Sequence, residues 1–187
     1  MAKKVLEFVS SPRTDGNSTL LANAIADGAR AVDAQVETVH LSALTIRPCT
    51  ACDSCQGADD QFCVIRDDMR TLYPKIVAAD ALIYASPVYW FTVSAQLKLF
   101  MDRCYALGGP GGYALKGKRM AVALTYGDAD PFRSGAVNAL RTFQDAFAYV
   151  GAEFVGSVYT TGLVPGDVLK KKKLLKEAFT LGKTLAG

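Results

Sequence analysis

Four of the five cysteines lie within one short stretch of the sequence, at Cys49, Cys52, Cys55 and Cys63. Four thiolates at such spacing can hold a Zn²⁺ ion or an iron-sulfur cluster. Structural zinc usually takes two separated C-x2-C pairs, whereas three cysteines at successive two-residue gaps and a remote fourth are typical of cluster ligands. The spacing therefore favours a [4Fe–4S] cluster; thiols without metal and zinc are the alternatives. The fifth, Cys104, is interpreted as a core residue.

A loop rich in hydroxyl groups follows the first apolar run and leads directly into a helical pattern. Backbone N–H groups at a helix N-terminus, together with the helix dipole, favour a bound phosphate. Ser11, Asn17, Ser18 and Thr19 can donate further hydrogen bonds, and Arg13 can supply the compensating charge. Because the loop is neither G-x-G-x-x-G nor a P-loop, a monophosphate fits best. The alternative is a surface loop with a helix cap at Asn17 or Ser18.

A second loop is marked by aromatic residues. The third apolar run leads into Pro87 and Val88, and Tyr89, Trp90 and Phe91 follow at once. A planar tricyclic ring can stack on such a segment, while backbone N–H groups beyond the proline contact its polar edge. The alternative interpretation places these aromatic side chains in the core.

A third loop, with Thr125, Tyr126 and Gly127, follows the fourth apolar run. If the apolar runs are parallel strands, this loop lies at the same edge of the sheet as the two loops before it. It would then be the third place at which a ligand bound at that edge is touched. An ordinary turn is the alternative interpretation.

Short β-like runs alternate with longer helical patterns, which predicts one α/β domain over residues 1–187, with a parallel sheet and helices on both faces. The predicted strands are Lys4–Val9, Gln35–His40, Ala81–Ala85, Arg119–Thr125 and Glu153–Tyr159. The predicted helices are one that follows Asn17 or Ser18 as its cap, and then Asp67–Ala78, Val93–Cys104, Pro131–Val150 and Val168–Leu185. Five βα units match the flavodoxin-like strand order 2-1-3-4-5, in which ligands bind at the carboxyl ends of the strands.

Three segments resemble motifs of the NADPH-dependent FMN reductases and related multimeric flavodoxins. They are Ser-Pro-Arg-x-x-Gly-Asn-Ser-x-x-Leu from Ser11, Ser-Pro-Val-Tyr-aromatic from Ser86, and Ser-x-Gln-x-Lys-x-Phe-x-Asp-Arg from Ser94. Ser10 departs from the family, which often has glycine there. The cysteine segment, from Cys49 to Met69, is similar to the cluster motif of iron-sulfur flavoproteins, a branch of the same superfamily.

The resemblance implies an FMN-dependent oxidoreductase that passes electrons from NAD(P)H to a small-molecule or protein acceptor. It assigns the FMN phosphate to the first loop and the isoalloxazine ring to the other two. The alternative that it implies is an electron carrier with FMN and a [4Fe–4S] cluster, reduced by ferredoxin or a similar protein. Relatives form dimers or tetramers, so a homodimer or homotetramer is expected. A flavin also fits the lack of a convincing acid-base pair, because the cofactor carries the chemistry.

Composition excludes several other classes of protein. The chain has 187 residues, half of them hydrophobic, and a net charge of +3 without a basic stripe, so nucleic acid is not an expected partner. No apolar run reaches the roughly 18 residues of a membrane span, and the start does not resemble a secretory signal. We therefore expect a cytoplasmic protein that does not bind membranes, in which cysteines serve as ligands, redox groups or core residues.

Overall fold

The structure, a computed structural model, describes residues 2–57 and 62–187. The described residues contain five longer strands and one strand of two residues. The strands are β1 (Lys4–Val9), β2 (Gln35–His40), β3 (Ala81–Tyr89), β4 (Thr92–Val93), β5 (Arg119–Tyr126) and β6 (Glu153–Thr161). The three central strands, β1, β3 and β5, are mostly apolar and buried, whereas the outer strands β2 and β6 are half-buried. The α-helices are α1 (Asn17–Arg30), α2 (Met69–Ala78), α3 (Ala95–Arg103), α4 (Ala136–Val150) and α5 (Lys172–Ala186).

The five longer strands are parallel and lie in the order β2-β1-β3-β5-β6. This is the predicted flavodoxin-like order, because β4 pairs antiparallel with the end of β3 and only shifts the numbering. The order reverses direction between β1 and β3, so the loops that follow these strands diverge and leave a crevice at the carboxyl edge. The fold thus brings together the loops that the sequence predicts to bind a ligand.

Helices cover both faces of the sheet, as predicted. On one face α2, α3 and α4 pack over Phe8, Tyr84 and other large side chains of the central strands. On the other face α1 and α5 pack over smaller residues, including Val5 and Ala121. None of the helices in the described residues is long and apolar enough to cross a membrane.

Four of the five predicted helices, α2 to α5, were placed too early at their N-termini, and local chemistry explains two of the differences. Helix α3 begins at Ala95 because Ser94 is its N-cap and accepts a hydrogen bond from the Leu97 N–H, while Val93 belongs to β4. Helix α4 begins at Ala136 because Gly135 has a left-handed φ of 79°. The predicted cap of α1 was also wrong: its N-cap is Gly16, which has no side chain to bond the helix.

Candidate functional site

A cavity of about 190 Å³ lies at the carboxyl edge, where β1, β3 and β5 end. Most of the residues that the sequence predicts to bind FMN line it: Ser11, Arg13, Asn17, Ser18, Pro87, Val88, Tyr89, Thr125, Tyr126 and Gly127. The volume is below the roughly 300–1,000 Å³ of typical ligand pockets, so the cavity can enclose only part of a molecule as large as FMN. Below, this space is called the edge cavity.

The N-terminus of α1 forms the polar end of the edge cavity. The hydroxyls of Ser18 and Thr19 are buried, and neither has a hydrogen-bond partner among the described residues. Ser18 lines the edge cavity, whereas the predicted ligand Thr19 follows it on α1 and is not among the lining residues. Buried hydroxyls are normally paired, so two unpaired ones at a helix N-terminus indicate that a ligand completes the bonding there. Gly16 adds space, because a Cβ at that position would lie 2.5 Å from the Ser11 Oγ. The exposed Arg13 brings a positive charge to the same wall. These groups fit a phosphate.

Asn17 is engaged differently from the sequence-based expectation. Its Nδ2 donates to the Val164 carbonyl oxygen at 2.8 Å, and its Oδ1 accepts from the Val168 N–H at 3.2 Å. The amide therefore connects α1 to the segment between β6 and α5 rather than pointing a free donor into the cavity. We now expect Asn17 to position this segment, which itself forms part of the wall.

Residues after β6 also line the edge cavity, and the sequence reasoning missed them. They are Gly162, Leu163 and Pro165. A Cβ at Gly162 would lie 2.7 Å from the Asn17 Nδ2, so a larger residue there would displace the amide from its hydrogen bonds. The available signal was positional: these residues follow the last parallel strand and so lie at the same edge as the other loops.

Three buried serines connect the walls of the edge cavity. The Ser94 Oγ donates to the Ser10 Oγ at 2.9 Å, and the Ser10 Oγ donates to the Ala85 carbonyl at 2.9 Å. The Ser94 N–H donates to the Ser86 Oγ at 3.0 Å. Ser10, where the resembling family often has glycine, thus links the end of β1 to the end of β3 and the start of α3.

Trp90 does not line the edge cavity and is 91% exposed. It forms with Phe91 the two-residue turn between β3 and β4, and their φ angles are 48° and 68°. Such a turn favours Asn-Gly, because left-handed backbone strains residues with large side chains. The Phe91 backbone is held in place by Asn138, whose Nδ2 donates to the Phe91 carbonyl at 3.2 Å, and by close packing on Gly135.

Replacing Trp90 with asparagine and Phe91 with glycine is therefore expected to stabilise the protein by about 1 kcal/mol, because the relief of left-handed strain at two residues exceeds the loss of the contacts of Phe91, which is 54% exposed. Urea unfolding measures the change. Phe132→Asn is the control, since Phe132 is also an exposed aromatic but has no positive φ. We expect the control to change stability by less than about 0.5 kcal/mol. A clear loss of stability in the double variant would show that the turn is not strained.

The four clustered cysteines lie on the segment between β2 and α2. Cys49 and Cys52 are exposed, while Cys55 and Cys63 are half-buried against the core beside α2 and α3. Hydrogen bonds from Ser54 lower the pKa of the Cys52 thiol. Across residues 2–57 and 62–187, no three Cys, His, Asp or Glu side chains form a group that could hold a metal ion. The predicted cluster ligands thus stay a prediction, and part of the segment between Cys55 and Cys63 lies outside the described residues.

A buried ion pair joins the two ends of this cysteine segment. Arg103 of α3 forms two hydrogen bonds to the carboxylate of Asp67 and a third, of 2.8 Å, to the carbonyl of Arg47. Asp67 in turn accepts a hydrogen bond from the Arg47 N–H at 2.9 Å. Because Arg47 precedes Cys49 and Asp67 follows Cys63, the pair holds the two ends of the segment together. Cys104, the fifth cysteine, packs partly buried against the core, as expected.

The parallel sheet, with its strand order and with helices on both faces, defines a flavodoxin-like α/β protein. The family model described as NADPH-dependent FMN reductase matches residues 3–163. The chain belongs to this family and is an NAD(P)H-dependent FMN oxidoreductase, with FMN as its cofactor and NAD(P)H as co-substrate. The family and the fold class predicted from the sequence are thereby confirmed.

Individual relatives carry two kinds of name. An iron-sulfur flavoprotein of Archaeoglobus fulgidus is 33% identical over 183 residues, which cover 98% of this chain and 79% of that protein. A putative NAD(P)H-dependent FMN-containing oxidoreductase of Bacillus subtilis is 29% identical over 182 residues, which cover 95% of this chain and 96% of that protein. The chain is thus similar both to proteins named for a cluster and to a protein named without one.

Solved structures with the same architecture include one described as the Trp repressor binding protein from Bacillus subtilis. It has a TM-score of 0.71 and 28% identity, and the match covers 96% of this chain and 98% of that one. An NAD(P)H:quinone oxidoreductase from Methanothermobacter marburgensis has a TM-score of 0.76 at 20% identity, with 100% and 98% of the two chains covered. At that identity the second likeness supports the fold alone.

Proposed function

We propose that the edge cavity is the FMN site of this oxidoreductase and that the N-terminus of α1 binds the phosphate. The observation that carries the proposal is the pair of buried, unpartnered hydroxyls of Ser18 and Thr19 beside the space left by Gly16. Another cavity between α3 and α4 is larger, about 260 Å³, but its lining is mostly apolar. A phosphate requires donors, and these are at the edge cavity.

Bound FMN would supply the ability to accept a hydride and pass on its electrons. The protein itself would bind the cofactor, orient it and shield it from water. In this proposal Ser11, Arg13, Ser18 and Thr19 hold the phosphate, while Asn17 fixes the neighbouring wall. The segments 87–90 and 125–127 border the ring of the flavin. The exposed side chains of Tyr89 and Trp90 would leave one apolar side of the site open to NAD(P)H and then to the acceptor.

The phosphate assignment is tested by comparing the affinities of the protein for FMN and for riboflavin, which lacks the phosphate. Hydrogen bonds to a charged group contribute about 1.5–3 kcal/mol each, so replacing Ser18 with alanine and Thr19 with valine is expected to weaken FMN binding at least tenfold. Riboflavin binding is expected to change little. Flavin fluorescence measures both dissociation constants.

The matched control for this experiment is Thr180→Ala, which removes an exposed hydroxyl on α5 that bonds only within its own helix. FMN affinity is expected to stay at the wild-type value in the control. Equal loss of FMN and riboflavin affinity in the double variant would place the phosphate elsewhere.

A second proposal concerns the acceptor: the four cysteines hold a [4Fe–4S] cluster, and the protein passes single electrons to a protein partner. Two observations favour it: all four thiols are free and lie on one segment, and the relative from Archaeoglobus fulgidus is named an iron-sulfur flavoprotein. If there is no cluster, we propose that the flavin passes its electrons directly to a small-molecule acceptor. Iron and acid-labile sulfide in anaerobically purified protein separate the two, and fewer than about two irons per chain would reject the cluster.

We also propose that residues 1–187 act as a single FMN-binding domain, in the cytoplasm, as a homodimer or homotetramer. The free cysteines suit a reducing compartment. The exposed apolar side chains of Trp90, Phe132 and Leu163 lie on segments that end at the edge of the sheet where the cavity opens, and suit a contact between subunits there. Sedimentation of the FMN-loaded protein tests the assembly.

A further inference from the structure

The cavity between α3 and α4, here called the interhelical cavity, shares no lining residue with the edge cavity. It lies beside the last turn of α4, which leads into the start of β6, and therefore toward the opposite edge of the sheet. Its walls are mainly carbon and sulfur, with Met101, Leu115 and Phe147 among them. Such walls favour an apolar ligand.

One polar group in the interior of this cavity lacks a protein partner. Tyr84 lies on the central strand β3, is 3% exposed, and packs its ring 5.5 Å from the ring of Phe143 and 5.4 Å from that of Phe147. No hydrogen bond from the described residues contributes to the pKa of the Tyr84 hydroxyl, and the hydroxyl is not among the fully buried polar atoms, so it reaches open space although the residue as a whole is buried. Because Tyr84 also lines the interhelical cavity, we infer that its hydroxyl faces this space.

The chemistry of the surrounding groups restricts the ligand further. Burial raises the pKa of Tyr84 well above its ordinary value and that of Cys104 to about 12, so both groups stay protonated and neutral. The phenol is then a hydrogen-bond donor, and the thiol is not a nucleophile. At the rim the rings of Tyr113 and Tyr149 meet edge to face at 5.6 Å, and the described lining residues include no lysine, arginine or histidine that would favour an anionic ligand.

We propose that the interhelical cavity binds a neutral aromatic carbonyl compound of one or two fused rings, whose oxygen accepts a hydrogen bond from Tyr84. The volume of about 260 Å³ supports this size, since about 150 Å³ is enough for benzene. The aromatic rim suits a flat ring, and the single buried donor suits a single acceptor. This site is separate from the flavin site and does not depend on it.

The test compares 1-indanone, an aromatic ketone, with indane, the hydrocarbon of the same shape. Neither compound is readily reduced, and saturating FMN is present throughout so that the edge cavity is occupied. In wild-type protein we expect 1-indanone to bind about 2- to 10-fold more tightly than indane, which is the range for one hydrogen bond. Calorimetry or ligand-observed NMR measures both affinities.

Two variants locate the binding. Tyr84→Phe removes only the hydroxyl and is expected to abolish the preference for the ketone while indane binding is retained. Ala146→Leu narrows the cavity from α4 and is expected to weaken the binding of both compounds at least tenfold. A thermal melt of each variant confirms that it is folded.

Three results would overturn the proposal. The first is no binding, or equal affinity of the wild type for ketone and hydrocarbon. The second is unchanged binding in Ala146→Leu, which would place both compounds elsewhere. The third is a change of oligomeric state in Ala146→Leu, which would mean that a second copy of the chain covers this surface.

Discussion

Replacing Gly182 with alanine is expected to destabilise the protein by at least about 3 kcal/mol, the upper end of the usual range for overpacking. Gly182 lies where α5 crosses α1, and a Cβ there would be 1.8 Å from the carbonyl oxygen of Ile25. Gly28 is the reciprocal close approach on α1, since its Cβ would be 1.9 Å from the Phe179 carbonyl oxygen. Both obstacles are backbone atoms, which no change of rotamer can move.

The expected loss exceeds the gain from helix propensity, because alanine favours a helix interior over glycine by only about 1 kcal/mol. To remove the clash between the new Cβ and the backbone, α1 and α5 would have to separate. Their separation would open the core of small residues on that face of the sheet. Equilibrium unfolding in urea measures the effect. Gly109→Ala is the control, because nothing lies within 4 Å of a Cβ at Gly109. A stability equal to wild type in Gly182→Ala would mean that the helices are not in this close contact.

The second large effect is expected from Arg103→Ala, which leaves the buried carboxylate of Asp67 without its charged partner. The side chains of Arg103 and Asp67 are only 1% and 2% exposed. Breaking such a pair from one side typically costs about 3–5 kcal/mol. The exposed pair of Arg141 and Asp145 on α4 supplies the control, because Arg141→Ala is expected to cost less than about 1 kcal/mol. Equal losses in the two variants would contradict the burial of the first pair.

The same ion pair predicts a dependence on pH. Burial alone would raise the pKa of the Asp67 carboxyl, but hydrogen bonds from Arg103 and the Arg47 N–H hold it below its usual value. A lowered folded-state pKa stabilises the folded protein fully above about pH 4, the unfolded value, and this contribution disappears as the pH falls through the folded value. The stability difference between wild type and Asp67→Asn is therefore expected to shrink below about pH 4. A difference that grows there would contradict the assignment.

Much of the fold followed from the sequence because parallel strands buried on both faces leave a clear pattern. The predicted strands Lys4–Val9, which is mostly apolar, and Gln35–His40, in which two valines stand among polar residues, match β1 and β2 to the residue. The ends of β3 and β6 were placed too early, since Pro87 and Thr160 do not resemble buried strand residues. The hairpin β4 was missed because its turn is Trp90-Phe91 and not the Asn-Gly that such turns favour.

The candidate site was accessible from the sequence where local chemistry specifies it. A helix N-terminus with Ser18 and Thr19 predicts a phosphate site without knowledge of the fold. The role of Asn17 was not accessible, because its partners Val164 and Val168 are distant in the chain and meet it only after folding. The buried ion pair between Arg103 and Asp67 could not be predicted from the sequence for the same reason.

The most direct test of the central claim is to mix the FMN-loaded protein with NADPH in the absence of oxygen and to follow the visible absorbance of the flavin. We expect the absorbance of the oxidised flavin to be lost rapidly, while free FMN at the same concentration stays oxidised over that time. If the flavin on the protein also stays oxidised with both NADPH and NADH, this chain is not an NAD(P)H-dependent FMN oxidoreductase.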